Sequence, residues 1–234
     1  MASRQTVLEH LDELRTRVLR VVAVIVLTSL LAYPLTDSVL AFMLDGILGG
    51  YSRNVVVTTP LEAVLVRFKL SLIISAFISV PIGFYEALRF IGPGLYPRER
   101  KWIPLILSSS LLLFTAGVAF AYIVLLPFMV SFLLAFASPF ARPMLVLDSM
   151  VSFIVLTSAA MGVAFQWPLL VAVLSRLGVV SSAWLSGRRR HAIVACFILG
   201  AVFTDPSFIT QVLVAVPLVV LYEVGILVAR LCEK

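Results

Sequence analysis

Two carboxylates in this sequence stand inside runs of positive charge. Glu13 lies in "VLEHLDELRTRVLR" (7–20), with Glu9, His10 and Asp12 before it and Arg15, Arg17 and Arg20 after it. Glu99 lies in "RFIGPGLYPRERK" (89–101), flanked by Arg98, Arg100 and Lys101. Gly92, Pro93, Gly94 and Pro97 end the preceding helix and put Glu99 on a loop. A carboxylate suits a guanidinium, because the planar fork donates two parallel, charge-assisted hydrogen bonds that an ammonium cannot reproduce. The chemistry within reach is therefore recognition of arginine. A plainer reading is charge balance. Glu13–Arg17 at i, i+4 and Asp12–Arg15 at i, i+3 are helix-surface pairs worth a few tenths of a kcal/mol, and Glu99 relieves repulsion among its neighbours.

Other polar residues fall within apolar stretches, where their cost marks them as functional candidates. Gln166, followed by Trp167 and Pro168, stands near the middle of one such stretch, and Glu223 stands near the inner part of another. Gln donates and accepts hydrogen bonds but does not titrate; it suits a polar contact to a neighbouring helix or partner, or helix-packing glue. Glu223 suits a hydrogen-bonded structural role or a functional contact to a partner. Glu86 precedes Arg89 and Phe90 by three and four residues, so it either supplies another acid beside Phe90 or pairs with Arg89 on its own helix. Asp205, in "TDPS", is a candidate cap for the helix after it. Cys196 and Cys232 have no spacing that suggests a metal site or a disulfide framework.

The elements that must position these groups are membrane helices. Of the 234 residues, 62% are hydrophobic and 13% charged, against about a quarter charged in soluble domains. No polar stretch is long enough for a separate soluble domain, so one membrane domain over 1–234 is expected. Spans are expected at about 18–36, 68–90, 103–127 (extending toward 137), 149–176, 191–204 and 208–229, preceded by an amphipathic segment over 7–17 that runs into span one, Val7, Leu11, Leu14 and Val18 keeping helical spacing. Asp205-Pro206 interrupts 191–229, which reads as two short helices or a re-entrant hairpin. The outer loop 37–66 is an ordered connector or carries an amphipathic element near 37–48.

Arginines and lysines gather before span one, between spans two and three, between four and five, and at the end. That distribution puts both termini in the cytoplasm, and it accounts for the net charge of +6 without nucleic acid. No cleavable signal peptide is evident, because the first apolar run follows a mixed-charge segment and lacks a small-residue cleavage pattern. Gly83, Pro104, Gly117, Gly162 and Pro217 fall within spans, where they permit bends or close packing.

The segments "HLDELRTR" (10–17), "TPLEAVLVRFKLS" (59–71), "FIGPGLYPRER" (90–100), "FAYIVLLP" (120–127), "MGVAFQWP" (161–168) and "FTDPSFITQVLVAVPLVVLYE" (203–223) occur in order. Together they resemble TatC, the multi-span core of the twin-arginine protein translocase. The resemblance implies an all-α integral membrane protein of six helices in a concave, glove-like arrangement, the last two short, with both termini cytoplasmic in the inner membrane of a prokaryote. It implies a non-enzymatic receptor for signal peptides carrying an arginine pair. It further implies assembly with TatA- and TatB-type single-span subunits in an oligomeric complex, transport of folded cargo by proton-motive force, and no cofactor. By carry-over, Glu13 and Glu99 match the signal-binding acids, while His10, Leu14, Arg15 and Phe90 match other motif positions. Phe90 either packs the site or the peptide's apolar part, or is a plain core aromatic. Arg15, Arg17, Arg98 and Arg100 would lower non-specific attraction of basic segments. Two departures stand out: Gln166 replaces a frequent Glu, which puts a proton relay there in doubt, and Asp205 sits two positions before the family's usual acid. The alternative is a secondary transporter or channel with a midplane polar site around Gln166 and Glu223.

Overall fold

The computed structural model describes residues 2–48, 54–91, 103–137, 144–203 and 208–233. Glu99 and Asp205 lie outside the described residues, as does the side chain of His10. Ten α-helices are described: α1 Ala2–Ala32, α2 Thr36–Leu48, α3 Pro60–Ile91, α4 Ile103–Phe120, α5 Leu126–Ala137, α6 Leu147–Ala164, α7 Trp167–Arg176, α8 Ser182–Gly187, α9 Arg189–Phe203 and α10 Phe208–Cys232. Two two-residue strands, β1 Val55–Val56 and β2 Leu145–Val146, pair in parallel. Among the described residues, five stretches are helical and apolar enough to cross a membrane: Leu11–Leu48, Pro60–Ala87, Pro104–Phe136, Leu147–Arg176 and Phe208–Cys232. α9, at 15 residues, gives about 22 Å of helix, short of a bilayer core of about 30 Å.

The helix boundaries follow from local chemistry. The amphipathic opening segment and the first span form one continuous helix, and Pro34 then closes α1 in a 3-10 turn over Tyr33–Leu35. The element foreseen near 37–48 is α2. Pro127 does not end the third span. Residues Ala121–Leu125 form a π-helical turn in which the Leu126 amide donates to the Ala121 carbonyl, and the widened turn lets α4 run on into α5 past a residue with no N–H. The fourth span is broken where one helix was foreseen. α6 ends at Ala164 and α7 starts at Trp167; Pro168 has no N–H to donate back across the break.

Contacts divide the chain into two compact units, Met1–Asp37 with Arg67–Leu111, and Ser38–Val66 with Leu112–Lys234. In the first, Tyr33 packs on Phe68 with ring centroids 5.3 Å apart, and Arg67 Nε donates to Asp37 Oδ1 at 2.9 Å. Ser71, Ser75 and Ser79 are buried on one face of α3, and each hydroxyl donates to a carbonyl three or four residues earlier. Their polar atoms are thus satisfied inside an apolar helix.

In the second unit α10 packs on α7 and α9. One buried cluster joins Ile47, Leu48, Leu126, Val130, Leu134 and Ile154; another joins Ala121, Leu125, Met129, Met161 and Val214. α4 and α6 meet through glycine. A Cβ on Gly117 would lie 2.6 Å from the Met161 carbonyl oxygen and 2.9 Å from the Gly162 Cα, so only hydrogen fits between these backbones. Many large apolar side chains stay exposed, Leu30, Leu31, Leu112, Ile123 and Val202 among them. A helix surface of that kind is solvated by lipid rather than water.

Candidate functional site

Glu13 faces a guanidinium. Arg17, one turn further along α1, directs both Nε (3.1 Å) and Nη2 at Glu13 Oε1. The same guanidinium donates from Nη1 to Glu86 Oε2, on α3, at 2.7 Å. Arg20 completes the group with Nη1 3.5 Å from Glu86 Oε1. Arg17 and Glu86 are nearly enclosed, with side chains 12% and 11% exposed, whereas Glu13 at 39% and Arg20 at 57% reach the surface. Two acids and two arginines leave this cluster formally neutral. Enclosure of Arg17 and Glu86 is tolerable because each charge meets an opposite one at hydrogen-bond distance.

Glu86 therefore does not make the pair with Arg89 that its own helix allows. Its face of α3 is buried and needs a cation from across the unit, which α1 supplies. Arg89 instead lies over its neighbour Tyr85, 6.0 Å from the ring centroid. Arg15 is well exposed, 4.0 Å from Asp12, and Leu14 is also exposed. Phe90 is half-buried near the end of α3. The structure thus brings Glu13 and Glu86 together through Arg17 and leaves Arg15 outside the cluster.

Gln166 occupies the break between α6 and α7. Its backbone N–H donates to the Val163 carbonyl at 3.0 Å, and its backbone carbonyl accepts from the Leu170 amide at 2.9 Å. Trp167 stacks on Tyr222 with ring centroids 5.8 Å apart, and the Tyr222 hydroxyl donates to the Leu185 carbonyl at 2.7 Å. Glu223 is held elsewhere, by a fork on both oxygens: Arg189 Nε to Oε1 at 2.8 Å and Nη2 to Oε2 at 2.9 Å. Arg189 is the first residue of α9, so Glu223 ties α10 to the start of its neighbour and is not a vacant polar group at mid-helix. Next in the same region, Glu233 accepts from the backbone amide and hydroxyl of Ser182, at the start of α8. Those two donors hold its carboxyl below the usual range.

Sequence reasoning passed over Glu62. Its Oε2 accepts from the Thr58 amide and hydroxyl, both at 2.6 Å, and from the Thr59 amide at 3.3 Å, while Oε1 accepts from the Asp148 amide at 2.9 Å. One buried carboxylate thereby satisfies amides at the N-termini of both α3 and α6, beside the β1–β2 pairing. Half of this was legible, since Thr59-Pro60-Leu61-Glu62 has the spacing of a capping box. The other half, across 86 residues, was not.

The helices and their exposed apolar surfaces define an all-α membrane protein with several spans. The family follows from comparison with known proteins. Residues 9–217 match the family model described as Sec-independent protein translocase protein (TatC). The chain is 36% identical over 230 residues to the TatC of Aquifex aeolicus (strain VF5), covering 97% of this chain and 95% of that one. It is 32% identical over 226 residues to the TatC of Carboxydothermus hydrogenoformans, covering 96% and 93%. A crystal structure described as the twin arginine translocase receptor TatC superposes with a TM-score of 0.87 at 34% identity, covering 96% of this chain and all of that one. The chain belongs to the TatC family and is a multi-span subunit of a Sec-independent protein translocase.

Proposed function

We propose that this subunit is the signal-peptide receptor of the translocase, with Glu13 and Glu99 as the carboxylates that take the arginine pair of a folded cargo's signal. The observation that carries this reading is the contact of Arg17 with Glu13. A half-exposed carboxylate on α1 accepts from two nitrogens of one guanidinium, both at Oε1, so a guanidinium reaches it with charge-assisted hydrogen bonds. Phe90, close in sequence to Glu86 on α3, offers an aromatic face to the segment beside the arginines, and His10 and Arg15 lie on the same helix as Glu13. The chain sits in the cytoplasmic membrane of a prokaryote, and the distribution of Lys and Arg supports both termini inside. It assembles with TatA- and TatB-type single-span subunits, whose helices pack on the exposed apolar faces, and folded cargo crosses at the expense of the proton-motive force. Gln166 supplies a neutral polar contact to a neighbouring helix rather than a proton step, because an amide does not titrate.

The test is photo-crosslinking of a twin-arginine peptide to the membrane-inserted chain. Crosslinking should be lost when the peptide's two arginines become lysines, and lost again in Glu13→Arg or Glu99→Arg variants that still insert. Undiminished crosslinking in those variants would overturn the assignment.

A further inference from the structure

The arrangement around Glu13 has a feature that simple charge complementarity does not need. The carboxylate proposed to receive an external arginine is already engaged by this chain's own Arg17, and Arg17 is engaged at the same time by a second acid, Glu86. We infer that Arg17 is an internal competitor for Glu13, and that Glu86 is the acid that keeps Arg17 when an incoming arginine displaces it. Binding at this site is then an exchange of one guanidinium for another. The inference rests on the reading of Glu13 as a recognition residue.

Three observations support the exchange. First, the Arg17–Glu86 contact at 2.7 Å is already made, so releasing Glu13 leaves the enclosed guanidinium paired rather than stranded in a poorly solvated place. Second, Glu13 is the open end of the cluster and Glu86 the closed end, at 39% and 11% exposure. An external cation can reach Glu13 while Arg17 stays behind it. Third, Arg20 sits by Glu86 Oε1 while Arg17 uses Oε2, so the two arginines share that carboxylate without contending for one oxygen.

The exchange bears on specificity. A ligand that merely approached a vacant carboxylate could be any cation. A ligand that must replace a guanidinium on Glu13 has to match its hydrogen bonding, and an ammonium, a compact charge without a fixed fork, does not. Arg17 and Glu86 are thus specificity-determining residues, acting through what occupies Glu13.

The experiment measures equilibrium binding of a twin-arginine peptide and its twin-lysine analogue to the full chain in nanodiscs, for the parent, Arg17→Gln, Glu86→Gln, the double variant and Glu13→Gln. Arg17→Gln should tighten the arginine peptide by up to about fivefold, the ratio that corresponds to the upper value of a partly exposed ion pair. It should also narrow the gap between arginine and lysine peptides. Glu86→Gln should weaken the arginine peptide, because Arg17 then has only Glu13, and adding Arg17→Gln should restore it. Unchanged or weaker binding in Arg17→Gln would overturn the inference, since Arg17 would then be idle or orienting Glu13. If Glu86→Gln does not fold, Arg17→Gln alone decides. Glu13→Gln tests the underlying reading separately: parent-like binding there would remove Glu13 as the recognition residue, whatever Arg17 does.

Discussion

Glu13 and Glu62 are the same residue type held in opposite ways. Glu13 is half-exposed and its partner is a charged side chain on its own helix, itself shared with Glu86. Glu62 is buried, and three of the four groups that donate to it are backbone amides at the starts of α3 and α6. A guanidinium can be traded for another guanidinium of the same shape; a set of backbone amides cannot leave without unwinding the ends of α3 and α6. The first arrangement suits recognition and the second suits anchorage. The two units differ in the same sense in their backbone packing. Gly117 in the second unit has a neighbouring backbone where a side chain would be, whereas a Cβ on Gly83 in the first would meet only Val21 Cγ1 at 3.9 Å.

This contrast is open to direct tests. The largest effect is expected at the α4–α6 crossing: Gly117→Val should abolish a monodisperse detergent-extracted protein, because two backbones must separate, while Gly83→Ala should leave thermal stability unchanged. Equal behaviour of the two in a melting series would remove the packing difference. Next, Glu62→Ala should lower the melting temperature by several degrees, since four hydrogen bonds at two helix starts lose their acceptor. The twin-arginine affinity of the folded fraction should stay at the parent value. A smaller effect separates the two carboxylates by screening. Raising the salt concentration should weaken peptide binding at half-exposed Glu13, as the Debye length falls below about 10 Å, and should leave the stability difference between the parent and Glu62→Ala untouched.

The smallest effect concerns Glu233, whose carboxyl is held below its usual range by the Ser182 amide and hydroxyl. A depressed carboxylate adds stability above its unfolded pKa and loses it as pH falls through the folded value. Glu233→Gln should therefore melt slightly earlier than the parent at neutral pH, and the difference should vanish in acid. A difference that persisted in acid would point to a role other than the charge.

Much of this was legible along the chain. Apolar length pointed to the five stretches long enough to cross a membrane, and the spacing of Val7, Leu11, Leu14 and Val18 pointed to the helix that carries Glu13. The i, i+4 relation of Glu13 and Arg17 was visible for the same reason: a helix fixes near neighbours by its pitch alone. The break at Gln166 and the π turn before Pro127 were harder to read, although both prolines were in view, because a proline ends, bends or widens a helix according to what packs around it. Glu86 shows the limit most clearly. Its local partner was Arg89, three residues away on the same helix, yet burial of that face of α3 turned it to Arg17 and Arg20.

By itself, then, the sequence determined a membrane protein with several apolar helices, the positions of its charged segments and the membership of its motifs, since hydropathy, pitch and residue chemistry act over short stretches. Only the tertiary structure decided which charges meet. Arg17 reaches Glu86 across 69 residues and Glu62 reaches the Asp148 amide across 86. Those partners are chosen by helix faces that must be buried together, and an enclosed charge settles on the opposite charge or amide that the packing brings to it.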